Sequence, residues 1–373
     1  MSQMFCGCSS LKEIQFGDFD TSKTTNMYNM FAFCSSIQTL DLGIFDTANV
    51  TDMGSMFLGC KSLESLNISS FNTSKVTGDA INKYSSGMAT MFDGCSSLKV
   101  LDLSNFDTSN VLSMADMFHD CGSLESLNIS SFDASQVLEM RYMFGGCTSL
   151  KDLAFGSGFN AGQCESMSSM FYECSSLSSL DLSSFDTRSV KYMTMMFEGC
   201  SSLTSLDLSS FITSDVYSML NMFNGCSALK RLDISSFDLS RTNSVNGVLR
   251  GVGDNVDVCT IICTKTTKDR LLSDAGNAIS NVEWVIVEGG DLYESSDYSE
   301  DGKVYVLQKS TVGNGIDFVI LGDGYSDRQI ADGVYHEVAK KVMESLFLLE
   351  PLKSYREMFN VYEVVAVSKN EAF

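Results

Sequence analysis

The chain has 373 residues, 44% of them hydrophobic, and a formal charge of −22 with a pI near 4.3. That acidity argues against a nucleic-acid backbone or an anionic membrane surface as partner and favours basic patches or cations. A single proline, Pro351, suits a chain built of continuous hydrogen-bonded ladders, where a missing backbone donor is costly.

The N-terminus, "MSQMFCGCSS", has no basic segment followed by an apolar run, and no stretch reaches membrane-spanning length. It opens in the middle of a repeat, and repeat arrays need a terminal cap over the open core. The expectation is therefore an N-terminally incomplete piece, so the missing signal does not argue for the cytoplasm.

Nine in-phase Met-Phe pairs begin at Met4, Met30, Met56, Met91, Met117, Met143, Met170, Met196 and Met222, at steps of 26, 26, 35, 26, 26, 27, 26 and 26 residues. The long step holds a nine-residue insertion, "GDAINKYSS" at 78–86, and the 27-residue step has one extra residue between Phe155 and Phe159. Both should bulge as surface loops. Each unit reads MFxxCxSLxxLxLxxFDTSxVxxMxx. Leu98, Leu101 and Leu103 have leucine-rich-repeat spacing and end in a two-residue period, which predicts a short strand. Phe106 turns the corner. Val111, Met114, Met117 and Phe118 then fall at three- and four-residue intervals, which predicts a short helix with Asp107, Thr108 or Ser109 at its N-cap.

A unit of this size can bury its apolar face only against its neighbours. The expected fold is α/β: a leucine-rich-repeat solenoid over 1–250 with about nine 26-residue units, each a short strand plus a short helix. Parallel strands about 4.8 Å apart give an arc of roughly 40 Å.

Nine of the 13 cysteines share one column: Cys8, Cys34, Cys60, Cys95, Cys121, Cys147, Cys174, Cys200 and Cys226. The favoured reading is a small buried hydrophobe at a tight corner. An odd column of parallel thiols does not pair naturally into disulfides. Zinc needs four converging ligands, whereas a column offers one per turn. The only histidines are His119 and His336. Thiols sit awkwardly with an oxidising exterior, which an anaerobic habitat would reconcile. Cys259 and Cys263 share one side of a strand-like run and read as core.

The outward position between the strand leucines holds Gln15, Asp41, Asn67, Asp102, Asn128, Ala154, Asp181, Asp207 and Asp233, flanked mostly by serine and threonine. Mixing Asp with Asn relieves like-charge repulsion along the column, so a solvated face explains much of it. The functional alternative is a docking face for a basic or glycan partner, with Asp41, Asn67, Asp102, Asn128, Asp181, Asp207 and Asp233 as the candidate partner-binding column. A second acidic column, Asp20, Asp46, Asp107, Asp133, Asp186 and Asp238, fits helix capping better than calcium ligation, which needs several oxygens within a dozen residues.

The unit "MFDGCSSLKVLDLSNFDTSNV" resembles the 26-residue leucine-rich repeat of BspA-like bacterial surface proteins over residues 4–250. The resemblance implies a secreted or surface-anchored bacterial protein with a role in adhesion or host contact.

The repeat decays after Phe237, where Val245 and Val248 stand in for methionines. Residues 251–288 read as a C-terminal cap, with the helix "TKTTKDRLLSDAGNAI" and the strand "VEWVIVE". Residues 289–302 are an acidic linker. From 303 to 373 the runs "KVYVLQKST", "IDFVILGDGYS", a helical "DRQIADGVYHEVAKKVMESLFLLE" and "NVYEVVAVS" open an α/β domain that the sequence does not complete.

Residues 313–326, "GNGIDFVILGDGYS", and 349–371, "LEPLKSYREMFNVYEVVAVSKNE", resemble the N-terminal part of immunoglobulin-A-peptidase-like zinc metallopeptidases. The resemblance implies a later HExxH helix, supplying two zinc histidines and a glutamate base, beyond Phe373. His336-Glu337 opens "HEVAK", whose fifth residue is Lys340, and a cation cannot ligate zinc. Asp323 matches the family's "GDGY", with turn formation as its ordinary role. No catalytic, cofactor-binding or metal residue is therefore carried onto this chain, and zinc is expected only for a complete peptidase domain.

The leading expectation is a secreted or cell-surface binding module that positions an attached metallopeptidase. Its partner would be a protein or glycan on a host or neighbouring cell, with no nucleic acid and no membrane insertion. Alternatives are a secreted zinc metalloendopeptidase whose catalytic helix lies beyond residue 373, and a spacer with no ligand. By itself the chain is expected to hydrolyse nothing.

Overall fold

A computed structural model describes residues 1–79, 81, 84–156, 158–277, 279, 281–287, 304–309, 316–321, 339–340, 343, 347, 356 and 359–364. The chain packs as two units, Met1–Glu288 and Gly289–Phe373.

The first unit is a repeat solenoid of about nine turns. Each well-formed strand has three residues: β1 (Thr39–Asp41), β2 (Ser65–Asn67), β3 (Val100–Asp102), β4 (Ser126–Asn128), β5 (Ser205–Asp207) and β6 (Arg231–Asp233). The middle leucine points inward and its neighbours outward, as the two-residue period requires. Strands pair parallel with leucine opposite leucine: Leu40 with Leu66, Leu101 with Leu127, Leu206 with Leu232.

The ladder breaks twice, between β2 and β3 and between β4 and β5. The first break coincides with the insertion at 78–86, the second with the extra residue after Phe155. The columns nonetheless stay in phase across both breaks: Asn105 Nδ2 donates to the Ile68 and Phe71 carbonyls as the Ser131 hydroxyl does to Leu103 and Phe106, and Ile129 bridges to Phe155. At the first, the chain leaves and returns through a neck where a Cβ on Gly78 would meet the Gly87 Cα at 2.8 Å. The Asp79 backbone N–H donates to the Ser86 hydroxyl at 2.8 Å and helps close it.

The repeat solenoid stands, but the short helix expected in each unit does not form. In residues 114–121 alternate N–H groups donate to the next coil: Asp116 to the Arg141 carbonyl at 2.8 Å, Phe118 to Met143 at 2.9 Å, Asp120 to Gly145 at 2.8 Å. The intervening N–H groups close three-residue turns, Met117 to Met114 and Cys121 to Phe118. A helix would need all of them to bond four residues back. Left-handed residues at Asp116 (φ 55°) and Asp120 (φ 54°) also interrupt any helical run.

Those two left-handed positions recur in every coil, for example at Ser169 and Glu173, Met195 and Gly199, Asn221 and Gly225. Glycine dominates the second column. A Cβ on Gly225 would meet nothing nearer than 3.7 Å, so only its φ of 76° opposes a side chain. Gly225→Ala is expected to lower stability by about 1 kcal/mol. A chemical denaturation midpoint checks this, and an unchanged or raised midpoint would count against the backbone account.

The core is a set of stacked columns. Phe5, Phe31, Phe57, Phe92, Phe118, Phe144, Phe171, Phe197 and Phe223 form one continuous stack, with centroids 5.3 to 5.9 Å apart. A column of buried threonines ties the coils together: Thr108 Oγ1 donates to the Asp133 carbonyl at 2.8 Å and accepts its N–H at 2.8 Å. Thr21, Thr47 and Thr213 repeat the arrangement with Asp46, Asn72 and Asp238.

At the far end β7 (Cys259–Thr264), α1 (Lys265–Leu272) and β8 (Val282–Val287) extend the last sheet in the order β5-β6-β7-β8, all parallel. Thr264 caps α1 by accepting the Thr267 N–H. The helix stops at Leu272, well short of the 264–279 expected from the sequence. There the Ser273 and Asp274 N–H groups close the last turn on the Asp269 and Leu271 carbonyls, and the buried Asn277 amide donates to the Leu271 and Val245 carbonyls, at 3.0 and 2.8 Å.

The second unit holds β9 (Val304–Gln308), β10 (Ile316–Leu321) and β11 (Phe359–Val364) in the order β10-β11-β9. β10 and β11 are parallel; β11 and β9 are antiparallel. Met343, Phe347 and Val361 form its small core.

Candidate functional site

Asp41, Asn67, Asp102, Asn128, Asp207 and Asp233 are the third residues of β1 to β6, and Asp181 takes the equivalent position in a coil with no strand. Asp41, Asn67, Asp102, Asn128, Asp181 and Asp207 are not buried, whereas Asp233 is. Each also has a structural task. Its side-chain oxygen accepts the N–H two residues on, from Gly43 to Asp41, Ser69 to Asn67, Ser104 to Asp102, Ser130 to Asn128, Ser183 to Asp181, Ser209 to Asp207 and Ser235 to Asp233. These side-chain-closed turns bend the chain off the strand. Along the column Asn67 Nδ2 donates to Asp41 Oδ1 at 2.7 Å and Asn128 Nδ2 to Asp102 Oδ1 at 3.1 Å, so an amide separates the charges. The backbone N–H and hydroxyl of Ser104 hold the Asp102 carboxyl below its ordinary range, and Ser183 and Ser209 do the same for Asp181 and Asp207. Asp181 and Asp207 line a shallow depression of about 240 Å³ at the second ladder break. Asp233 pairs with Arg231 at 2.9 Å.

The second acidic column closes turns rather than capping helices. Asp20, Asp46, Asp107, Asp133, Asp186 and Asp238 each accept the N–H of the residue two further on.

All thirteen cysteines are free thiols. Cys6 and Cys8 are exposed and the other eleven buried. From Cys34 onward each thiol of the repeat column donates to a phenylalanine carbonyl of the preceding coil, as Cys121 does to Phe92 at 3.1 Å and Cys147 to Phe118 at 3.1 Å. Burial pushes the thiols up, Cys34 to about 11 and Cys60 and Cys174 to about 12. A protonated, enclosed thiol neither attacks nor ligates.

The turns opposite in each unit carry a groove of about 510 Å³ that the repeat pattern does not announce. Tyr84, supplied by the insertion, lies under the Arg141 guanidinium with 4.3 Å from ring centroid to Cζ. Arg141 in turn lies 3.3 Å from the half-buried Asp116, whose carboxyl burial raises. Glu139, Glu165, Ser166, Ser168, Tyr142 and Tyr192 continue the lining. Lys191 pairs with Glu165 at 2.9 Å. Beside it, His119 lies 3.1 Å from Asp93, and that contact raises its pKa. The one advance signal for this groove is the nine-residue insertion; nothing in the sequence says which later coils it faces.

His336, Glu337 and Asp323 lie outside the described residues. Among the described residues no group of three or more His, Cys, Asp or Glu is placed to hold a metal ion, and no helix is long and apolar enough to cross a membrane. The residues present do not fit a zinc centre of the HExxH kind. Of the two histidines, one contacts Asp93 in the solenoid, and the other is followed at the fifth position by Lys340.

Fold and surface define a repeat solenoid joined to a second, different region. Residues 1–86, 83–178 and 155–257 match the family described as Mycoplasma protein of unknown function, DUF285. The chain belongs to that family. Residues 305–372 are similar to the family described as IgA Peptidase M64. No curated protein and no solved structure matches the chain.

Proposed function

We propose that the chain is a binding module, secreted or held at a bacterial surface, whose solenoid positions the M64-like region against a protein or glycan on another cell. The reading is carried by one observation: a solenoid matching DUF285 and a segment similar to IgA Peptidase M64 occupy one chain. The likeness of the repeat to BspA-like leucine-rich repeats supports the surface location and the adhesive role. The strand face is the docking surface, and its carboxylates complement a basic partner.

The test uses the column's own chemistry. Asn67 and Asn128 close the same turns that aspartate closes elsewhere, so D102N/D181N/D207N removes three charges while keeping every turn. The full-length triple variant should keep its unfolding midpoint and lose about tenfold or more in adhesion to host cells at low salt, with less difference at high salt. Equal adhesion by both proteins would rule the strand face out.

A second reading, a secreted zinc metalloendopeptidase, is favoured by the M64 similarity at 305–372. Its catalytic helix would lie beyond residue 373. Zinc-dependent peptide hydrolysis by the purified 373-residue chain would overturn the binding-module reading.

A further inference from the structure

We infer that the turn-face groove between Tyr84 and Tyr192 binds a neutral oligosaccharide. This goes beyond the strand-face reading and shares no lining residue with the depression on that face.

Three observations point to sugar. First, the solenoid unit has six tyrosines, and the two that are exposed, Tyr84 at 47% and Tyr192 at 46%, both line this groove. Tyrosine presents an apolar ring with a polar tip, which suits a sugar ring: its C–H face packs on the aromatic face and its hydroxyls remain at the edge. Tyr84 is also held in place by the Arg141 guanidinium.

Second, hydroxyls dominate between the two rings. Seven of the eleven lining residues are Ser, Thr or Tyr, and the partly exposed Glu165 and Arg141 add planar groups. A hydroxyl both donates and accepts, while carboxylates accept and a guanidinium donates in a fixed fork. Together they answer vicinal sugar hydroxyls, which also do both. Met195 is the one wholly aliphatic lining side chain, so an apolar ligand would bury little.

Third, the two cations at the groove already face carboxylates, and the remaining carboxylate, Glu139, is buried and accepts the Arg141 backbone N–H. Arg141 lies against Asp116, and Lys191 against Glu165. A phosphate or a polycation would have to break these pairs; a neutral ligand does not. The backbone offers an extended peptide no free edge either, because Met140, Tyr142, Met167 and Ser169 all donate to the next coil.

The full-length chain is titrated with short neutral oligosaccharides of glucose, mannose, galactose and N-acetylglucosamine, read by saturation-transfer NMR and calorimetry. At least one series should bind saturably, and Tyr192→Ala and Tyr84→Ala should each weaken it about tenfold. The unfolding midpoint should not move, because both rings are half exposed. D102N/D181N/D207N should leave this binding unchanged, which separates a failure here from a failure of the strand-face reading. The inference is overturned if no series binds, if binding survives both tyrosine substitutions, or if the groove takes a neutral peptide and no sugar.

Discussion

Phe118→Ala is expected to cost about 4 kcal/mol and to split the unfolding of the solenoid unit into two transitions. Phe118 is wholly buried and stacks on Phe92 at 5.7 Å and on Phe144 at 5.6 Å. Its removal leaves a cavity and ends two aromatic contacts, each worth about 1 kcal/mol beyond burial. In a stacked array each coil is stabilised by its two neighbours, so a weak central interface uncouples the halves. Urea unfolding followed by circular dichroism reads both effects. Phe33→Ala is the control: that ring is 51% exposed and should cost under about 1 kcal/mol. A single, scarcely shifted transition for Phe118→Ala would mean that the phenylalanine column does not carry the coupling.

Thr108→Val is the second large effect, at about 2 kcal/mol. Valine matches threonine in shape but carries no hydroxyl, so the Asp133 N–H and carbonyl lose their partner at a site where Thr108 is 1% exposed. Leaving buried polar groups unpaired costs more than the bond itself contributed. Thr108→Ser restores the hydroxyl and should recover most of the loss. Hydrogen exchange at the Asp133 amide gives the local reading: faster in the valine variant, near normal in the serine variant. Equal exchange in all three would show that the threonine ladder is incidental.

What was legible in the sequence follows from periodicity. The strand leucines, the inward cysteines and the outward Asp/Asn column all come from the 26-residue phase and the two-residue alternation. The helix reading failed because inward residues at three- and four-residue intervals fit a helix and also fit a chain of three-residue turns. The deciding feature is the left-handed backbone one residue before the Met of each Met-Phe pair and before each cysteine of the repeat column. It is visible as glycine at Gly94, Gly199 and Gly225, but hidden where Ser169, Met195 or Glu173 takes the same conformation. The threonine ladder escaped notice because Thr108 inside an FDTS motif reads as a capping residue. The groove was illegible for another reason. It depends on Tyr84 from one coil meeting Arg141 from a later one, a pairing that no within-unit pattern encodes.

The central claim is that the inward recurring residues, the cysteines among them, hold the coils together and carry no chemistry, while recognition belongs to the exposed faces. The cysteines test it most directly. Native full-length protein, mixed with a thiol reagent at neutral pH, should show two rapidly reacting groups, Cys6 and Cys8, with the other eleven released only on unfolding. Nine or more fast thiols, or a column already oxidised to disulfides, would contradict the account.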